Sequence, residues 1–549
     1  MAANAAANMD TAFDPELREK MGLRGLLPPA QQSMATQIQR CLYQLRRKKT
    51  QLGKHVYLSS LRQTNTRLFY AVIMSEAEEC LPLIYTPVVG EACQNFSKIY
   101  RRPEGLTLTI EDKGQVAKVL NNVPLPAGGP RIAVLTDGSR ILGIGDQGWD
   151  GLGISIGKLC LYVAAAGIHP RATLPIVVDL GTNSQEKLED PMYLGLRQKR
   201  ASDDEYREFL DEVMDALNKK FPNLIIQFED FTSDHAFEFL ARYQDKYPMF
   251  NDDIQGTGCV VLGTFVAAAR LSSKASGKPL SEHRILLTGA GSGAGVGKQL
   301  LSFFTQQGFT EEEARKKIWM VDSKGLITKD RGDKLAPQKQ EWARDDNNGQ
   351  QFQSLEDIID YAKPTALIGL STVPNTFTPS VLRKMADLNK RPIIMPLSNP
   401  SSKSECNHQQ AIEGTDGRAI FAAGSPFGDV EYDGKTFKAS QANNFLVFPG
   451  IGLAGALTKV SRITPSMITT AAVSLANCLT EEEEKEGRVL PDIARIREVS
   501  RDVATAVIQQ INKEGYARDG GYTAGFMEEN LKEWVEGEMW SPSYEKLHT

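Results

Sequence analysis

The spacing of hydrophobic and polar positions changes character along the chain. Residues 1–30 show no period and end in Leu27-Pro28-Pro29, a turn that excludes helix, so this stretch is expected to be irregular. From 31 to 83 apolar residues recur at helical spacing among many Leu and Arg, which predicts an N-terminal helical region. From about residue 131, short apolar runs alternate with longer periodic ones. Residues 132–135 and 140–144 read as two strands joined across an Asp137-Gly138 turn. A helix is predicted at 153–166, a strand at 174–179, a helix at 204–219 and a strand at 224–228. The apolar runs 158–168 and 259–269 read as buried helices. A polar linker is expected at 272–281, and beyond it a second alternation begins. Strands are predicted at 284–288, 317–322, 365–369 and 392–397, with a helix at 296–307, and the chain from Thr464 reads as mostly helical and charged. Repeated strand–helix alternation predicts an α/β protein with parallel sheets. The expected units are a helical region at 1–83, an α/β unit at 84–260, a second at 261–515 and a helical tail at 516–549.

Composition narrows the function classes. The 549 residues are 41% hydrophobic and 24% charged, as in ordinary globular proteins, and the length calls for three or four packing units. A net charge of −5 gives no electrostatic reason to bind nucleic acid or a membrane surface. No run approaches the ~20 consecutive apolar residues that span a bilayer. Residues 1–13 carry no Arg or Lys, and Asp10, Asp14 and Glu16 are acidic, which is unlike a mitochondrial presequence. A cytoplasmic protein is expected, with a mitochondrial one as the alternative. Cys41, Cys80, Cys93, Cys160, Cys259, Cys406 and Cys478 are scattered, odd in number and without a Cys-x-x-Cys pair. They read as reduced thiols, forming neither a disulfide framework nor a zinc site.

One glycine pattern sits where a phosphate cradle belongs. Gly289, Gly291 and Ala294, with Ser292 and Gly293 between them, fit G-x-G-x-x-G/A. A predicted strand precedes them, a helix follows, and a second strand ends at Asp322. Glycine lets the backbone approach a pyrophosphate at the helix N-terminus, so this is expected to be the dinucleotide loop of a Rossmann-type, doubly wound unit, the alternative being a glycine-rich strand-to-helix turn without nucleotide. The same regular expression fits Gly143, Gly145 and Gly148, with Asp179 ending the next strand. Asp146 and Asp150 in and beside that loop repel a pyrophosphate, whereas 289–294 is free of acid.

Two acidic pairs fall at strand ends. Glu229 and Asp230 follow the strand at 224–228, and Asp252 and Asp253 precede an apolar helix. Carboxylates gathered at strand ends suit a hard divalent ion such as Mg2+ or Mn2+. Asp252 or Asp253 also suits a helix cap, and spacing does not show that the pairs converge. Lys158 lies in an apolar run. On a buried face its pKa is expected to be depressed, which makes a base, and the alternative is an ammonium that snorkels to water.

Longer motifs carry a family resemblance. Arg24-Gly-Leu-Leu-Pro-Pro29, Ile84-Tyr-Thr-Pro-Val-Val-Gly-Glu-Ala-Cys93, Asp179-Leu-Gly-Thr-Asn183, Gly195-Leu-Arg197, Phe228-Glu-Asp-Phe231, Leu397-Ser-Asn-Pro400 and Phe448-Pro-Gly450 stand in order, with 250–256 among them. Together they resemble the malic enzymes, from about residue 22 to 540. The resemblance implies oxidative decarboxylation of L-malate to pyruvate and carbon dioxide, decarboxylation of oxaloacetate, a divalent cation (Mg2+ or Mn2+) and a nicotinamide dinucleotide. It makes 84–260 the substrate unit and 261–515 the dinucleotide unit. It assigns Glu229, Asp230 and Asp253 as metal ligands, Tyr85 and Lys158 as acid and base, and Asp252 as the acid near the lysine. Arg140 becomes the grip on a malate carboxylate, and Asn399, Asn443 and Asn444 substrate-contacting amides, with Asn399 also toward the dinucleotide. The 143–148 loop falls to the substrate side. Members of the family are dimers or tetramers, which implies a homodimer or homotetramer here.

The choice of dinucleotide is divided. Asp322 alone favours NAD. Lys324, Lys329, Arg331, Lys334 and Lys339 follow it, and the segment at 321–327 resembles NADP-using members. NADP is the expectation, with Lys324 and Lys339 on its 2′-phosphate and NAD as the alternative. Two rival functions remain open: a malolactic-type enzyme that keeps NAD bound and releases lactate, and a non-catalytic regulatory paralogue.

Overall fold

In the computed structural model, which describes residues 4–124, 128–332, 335–518 and 528–544, the predicted apolar runs become two parallel sheets. The first comprises β1 (Leu106–Thr109), β2 (Ile132–Thr136), β3 (Thr173–Asp179), β4 (Ile225–Phe228) and β5 (Met249–Asn251). Their order is β1-β3-β2-β4-β5 and every pairing is parallel. β2 and β4 are buried at every residue, as expected where helices cover both faces.

The second sheet holds β6 (Ile285–Thr288), β7 (Ile318–Asp322), β8 (Gly325–Leu326), β9 (Ala366–Gly369), β10 (Ile393–Pro396) and β11 (Ile420–Ala423). A separate antiparallel ribbon, β12 (Val430–Tyr432) with β13 (Lys435–Phe437), precedes β14 (Ser440–Gln441) at the sheet's edge. The order is β14-β11-β10-β9-β6-β7-β8, parallel except for β7–β8. The chain leaves β6 toward β7 on one side and returns to β9 on the other. The loops after β6 and β9 therefore part at a switch point, where doubly wound sheets hold ligands.

The helix Thr257–Ser276 joins the two sheets and is continuous with a π-helical turn, Asp252–Gly256, at the end of β5. It packs on Ser292–Gln306 and Pro465–Asn477. By length and apolar composition the run Asp252–Ser276 also meets the test for a membrane span, which the count of consecutive apolar residues missed. Most of it is buried within the protein, as a core helix.

Three sequence expectations are corrected. The linker expected at 272–281 is helical as far as Ser276. Its serines read as polar, but Ser272 is buried and donates to the Arg391 carbonyl (2.9 Å), while Ser276 donates back to Ser272 (2.8 Å). The strand expected at 140–144 is a turn with a single bridge, Ile141 to Gly145, because Leu142 and Gly145 both take positive φ. The irregular N-terminus contains a helix, Pro15–Lys20, capped by Asp14. Buried Arg18 orders this segment by donating to the carbonyls of Phe13, Thr11 and Pro28, contacts that periodicity does not register.

His283, just before β6, is buried between Thr365 (Nδ1 to Oγ1, 2.9 Å) and Ser273 (Nε2 to Oγ, 3.2 Å). Burial, helped by Lys278, pushes its pKa down from 6.5 to about 4. Between those values the unfolded chain takes up a proton that the folded one refuses, so stability rises with pH. The contribution is complete above pH 6.5 and is lost as pH falls through about 4. Denaturant midpoints measured across that window should fall less steeply in His283→Asn than in the parent. Identical slopes would overturn this account of His283.

Candidate active site

The carboxyl ends of β4 and β5 meet the helix Leu152–Ala166, every residue of which is buried. Lys158, on that helix, has no water to turn to. Its Nζ lies 2.5 Å from Asp252 Oδ2 and 3.0 Å from Glu229 Oε1, over the Phe448 ring at 4.4 Å and the Tyr85 ring at 5.1 Å. The two acidic pairs do converge. One oxygen from each of Glu229, Asp230 and Asp253 lies within 4.8 Å of the others. The Asp230 amide donates to Asp253 Oδ2 (2.8 Å), and Asp230 takes a φ of +57° to do so. Asp253 begins no ordinary cap. It sits in the π-helical turn, which Asn251 closes by accepting from the Ile254 amide (3.0 Å).

Uncharged groups hold these charges. Asn444 Nδ2 donates to Asp252 Oδ2 (2.9 Å), to its carbonyl (3.2 Å) and to Thr257 Oγ1 (3.1 Å). Gln227, on β4, donates to Glu229 Oε2 (2.7 Å) and accepts from the Tyr162 hydroxyl. Sequence reading missed Gln227 and Tyr162. The signal was a lone amide in an otherwise apolar strand. Asp230 Oδ2 and Asp252 Oδ1 are buried without a hydrogen-bond partner. Unpaired buried acceptors among converging carboxylates fit a hard divalent cation.

The electrostatics correct one expectation. Burial alone would lower the Lys158 pKa, but Asp252 first and then Glu229 overcome it and hold the ammonium well above its ordinary range. Lys158 was expected to be depressed because an apolar run reveals the burial and hides the two carboxylates. Burial and then mutual repulsion push Glu229 and Asp230 well above ordinary carboxylates, although Lys158 acts against both. Burial, then Asp252, raises Asp253 to about 6. Burial raises Tyr85 far above an ordinary phenol, with Lys158 opposing.

Arg140 follows β2, with its amide on the Asp230 carbonyl (3.3 Å) and its guanidinium on Ser233 Oγ. Its charge acts on Asp253. Asn443 caps the next turn by accepting from the Phe445 amide (2.9 Å). Asn399 is exposed after β10 and accepts from Ser425 (2.6 Å). Neither of these two amides joins the hydrogen bonds around Lys158.

The second sheet brings its glycine loop against the same turn. Gly289 has a φ of +99°, and a Cβ there would stand 2.4 Å from the Leu370 carbonyl group, so the loops after β6 and β9 approach as only glycine allows. Gly291 faces open space, and Ser292–Gln306 begins just beyond it. A Cβ on Gly295 would touch Ile254 at 3.0 Å, so this helix begins beside the Asp252–Gly256 turn. Glu405, also missed, ties the neighbouring loops by accepting from the Ser371 amide (2.9 Å) and Ser398 Oγ (2.6 Å). The open loop, the helix N-terminus and the unpaired buried Thr288 Oγ1 fit a dinucleotide pyrophosphate. At the end of β7, Asp322 is bound by Arg331 (2.7 and 3.0 Å), Lys339 (2.8 Å) and the Lys324 amide (2.9 Å). These contacts overcome burial and hold its carboxyl far below the ordinary range. Lys329 pairs instead with Asp345 (2.6 Å), and Lys334 lies outside the described residues.

A buried lysine and four carboxylates beside a nucleotide-binding crevice define a dinucleotide-dependent oxidoreductase acting on a small acid. Residues 62–244 match the malic enzyme N-terminal domain, and residues 254–512 the malic enzyme NAD binding domain. The chain is 45% identical to the NADP-dependent malic enzyme of Dictyostelium discoideum, covering 99% of this chain and 98% of that one. It is 42% identical to the NAD-dependent malic enzyme of Acinetobacter baylyi, covering 98% and 94%. With the NADP-dependent malic enzyme of Mus musculus it shares 41%, covering 98% and 92%. Among solved structures, the malic enzyme of Entamoeba histolytica shares the fold with a TM-score of 0.57 at 22% identity, covering 94% and 90%. The chain belongs to the malic enzyme family. Its reaction is the oxidative decarboxylation of malate with a nicotinamide dinucleotide.

Proposed function

We propose that Lys158 is the base and Tyr85 the acid of this reaction, that Glu229, Asp230 and Asp253 hold a Mg2+ or Mn2+ ion, and that the dinucleotide is NADP. The observation that carries the reading is the placement of Lys158 Nζ between Asp252 and Glu229, one residue away from the unpaired Asp230 oxygen. When bound, the cation stabilises negative charge at the substrate's C2 oxygen, and the dinucleotide accepts the C2 hydride. Arg140 grips a malate carboxylate by its guanidinium fork. Asn399, Asn443 and Asn444 contact the substrate, Asn399 also facing the dinucleotide, and Asn444 keeps Asp252 in place.

Lys158 takes the proton of the C2 hydroxyl as the hydride leaves. To do so the ammonium must first be neutral, and the contacts that oppose this are Asp252 first and then Glu229, with burial acting the other way. Glu229, were it to hold the cation, would oppose the neutral amine less, while Asp252 would keep its contact with Lys158. Loss of carbon dioxide from the resulting β-keto acid leaves an enolate. Tyr85, whose proton is held firmly in the resting site, donates it to C3 and gives pyruvate.

NADP is supported by charge. Asp322 carries one negative charge and is paired with both Arg331 and Lys339. Two cations gathered on one carboxylate suit a 2′-phosphate. A homodimer or homotetramer is the proposed assembly, supported by the family and by the exposure of Leu26 and Tyr43. The cytoplasm is the proposed compartment, supported by seven cysteines that are all buried and unpaired.

Lys158→Ala should keep the parent's circular dichroism and lose about 10²–10⁴ in kcat. Near-parent turnover would remove Lys158 from the chemistry. Asp253→Ala should weaken Mn2+ binding, read by direct titration, and stop turnover at metal levels that saturate the parent. Unchanged affinity would make these acids structural charges. Lys339→Ala should cost kcat/KM for NADP about 1.5–3 kcal/mol and leave NAD nearly untouched. A parent that prefers NAD would overturn the cofactor choice. Free reduced dinucleotide appearing with pyruvate excludes the malolactic reading.

A further inference from the structure

The loop from Asp137 to Gly148, which imitates a dinucleotide fingerprint, is built to do something else. The Gly138 carbonyl accepts from the amides of Gln147 (2.8 Å) and Gly148 (3.2 Å), closing the loop at its neck. Gly138 has a φ of +66°, and a Cβ there would stand 1.9 Å from the Gly148 oxygen, so the two strands of the neck touch. The Asp146 carboxylate accepts from Arg200 Nε (3.1 Å) and Nη2 (2.7 Å), the Asn183 amide (2.7 Å) and the Gly148 amide (2.9 Å). Arg200 Nη1 and Nη2 also donate to the Asp137 carbonyl, each at 3.1 Å. One guanidinium thus binds both the start and the far end of the loop.

The other side of the loop faces the acidic cluster. Ser139 Oγ accepts from the Thr232 amide (3.1 Å), the Arg140 amide donates to the Asp230 carbonyl (3.3 Å), and the Leu142 amide acts on the Asp230 carboxyl. The loop therefore sets the direction of the Arg140 side chain and the backbone of Asp230 together.

We propose that Asp146 and Arg200 are positioning residues that fix Arg140 and Asp230 as one unit, so that malate and cation affinity depend on the same ion pair. The proposal rests on Arg140 as the carboxylate grip and Asp230 as a cation ligand. The pair is well shielded, with side chains 13% and 18% exposed, so removing one partner strands the other. The fork of Arg200 reaches a carboxylate and a carbonyl at once, and a lysine in its place reaches them singly.

The test uses the full-length enzyme with Arg200→Met, Arg200→Lys and Asp146→Asn, and with Arg140→Ala and Asp230→Ala as controls. Three quantities are read: KM for malate, Kd for Mn2+ by direct titration, and Kd for the dinucleotide without malate. In Arg200→Met and Asp146→Asn the first two should rise together by about tenfold or more, as when a ligand's supporting group is lost, while the third holds. Arg200→Lys should fall between parent and Arg200→Met. Parent values for malate or for Mn2+ in Arg200→Met and Asp146→Asn overturn the proposal, and so does a parallel loss of dinucleotide binding, which marks general destabilisation. If those variants fail while both controls weaken as expected, the positioning role alone is wrong. If Arg140→Ala keeps the malate KM or Asp230→Ala keeps the Mn2+ affinity, the reading beneath it fails too.

Discussion

A buried ammonium demands partners, and the rest of the structure is arranged around that demand. Lys158 is 1% exposed on a helix whose other residues are buried and almost wholly apolar. An ion of this kind left unpaired costs several kcal/mol. Its partners, Asp252 and Glu229, arrive at the ends of β5 and β4, so the first sheet must present those ends to the helix. The turn that delivers Asp252 is also the first turn of the helix that runs to the second sheet. The same charge thus meets the end of one sheet and the turn that leads to the other. This places the glycine loop of the second sheet beside the acidic turn.

The balance at this point is deliberately uneven. Glu229, Asp230, Asp252 and Asp253 bring four carboxylates to one ammonium, with Arg140 at the margin. Burial and repulsion raise the pKa of Glu229, Asp230 and Asp253, and Lys158 opposes the rise in all three. Neutral donors answer the rest. Gln227 and Asn444 each satisfy a carboxylate oxygen without adding charge. Asp230 Oδ2 and Asp252 Oδ1 remain buried acceptors without a hydrogen-bond partner. Glu229 faces both Lys158 and the other carboxylates of the cluster, which ties the proton on Lys158 to the charges around it.

Periodicity revealed the sheets because their strands are buried on both faces and read as apolar runs, as β2 and β4 show. It failed where order comes from single polar contacts. Arg18 organises the N-terminal turns through carbonyls, and Ser272 continues a helix because its hydroxyl has a buried acceptor. The candidate residues of the site were legible one by one, and their convergence was not. Glu229 follows β4 and Asp253 lies in the turn after β5, and no spacing rule spans that distance. The Lys158 pKa was misjudged for the same reason, since burial is written in the neighbouring sequence and the opposing carboxylates are not. Gln227 left only the trace of one amide in an apolar strand.

Residue type sets a role only through its partners, and two acids in this chain make the point from opposite sides. The rule that an acid at the end of the second strand selects NAD assumes a carboxylate free to meet ribose hydroxyls and to repel a phosphate. Asp322 is not free. Arg331 takes both of its oxygens and Lys339 one, so the carboxylate that would reject a 2′-phosphate instead holds two cations where one would sit. Asp146 shows the converse. In a glycine loop it looked like a charge that spoils phosphate binding, and its oxygens are indeed occupied, by Arg200, Asn183 and Gly148. There the acid ties the far end of the loop to Arg200 and Asn183. In both places a short motif offers two readings, and the donors around one carboxylate bear on the choice.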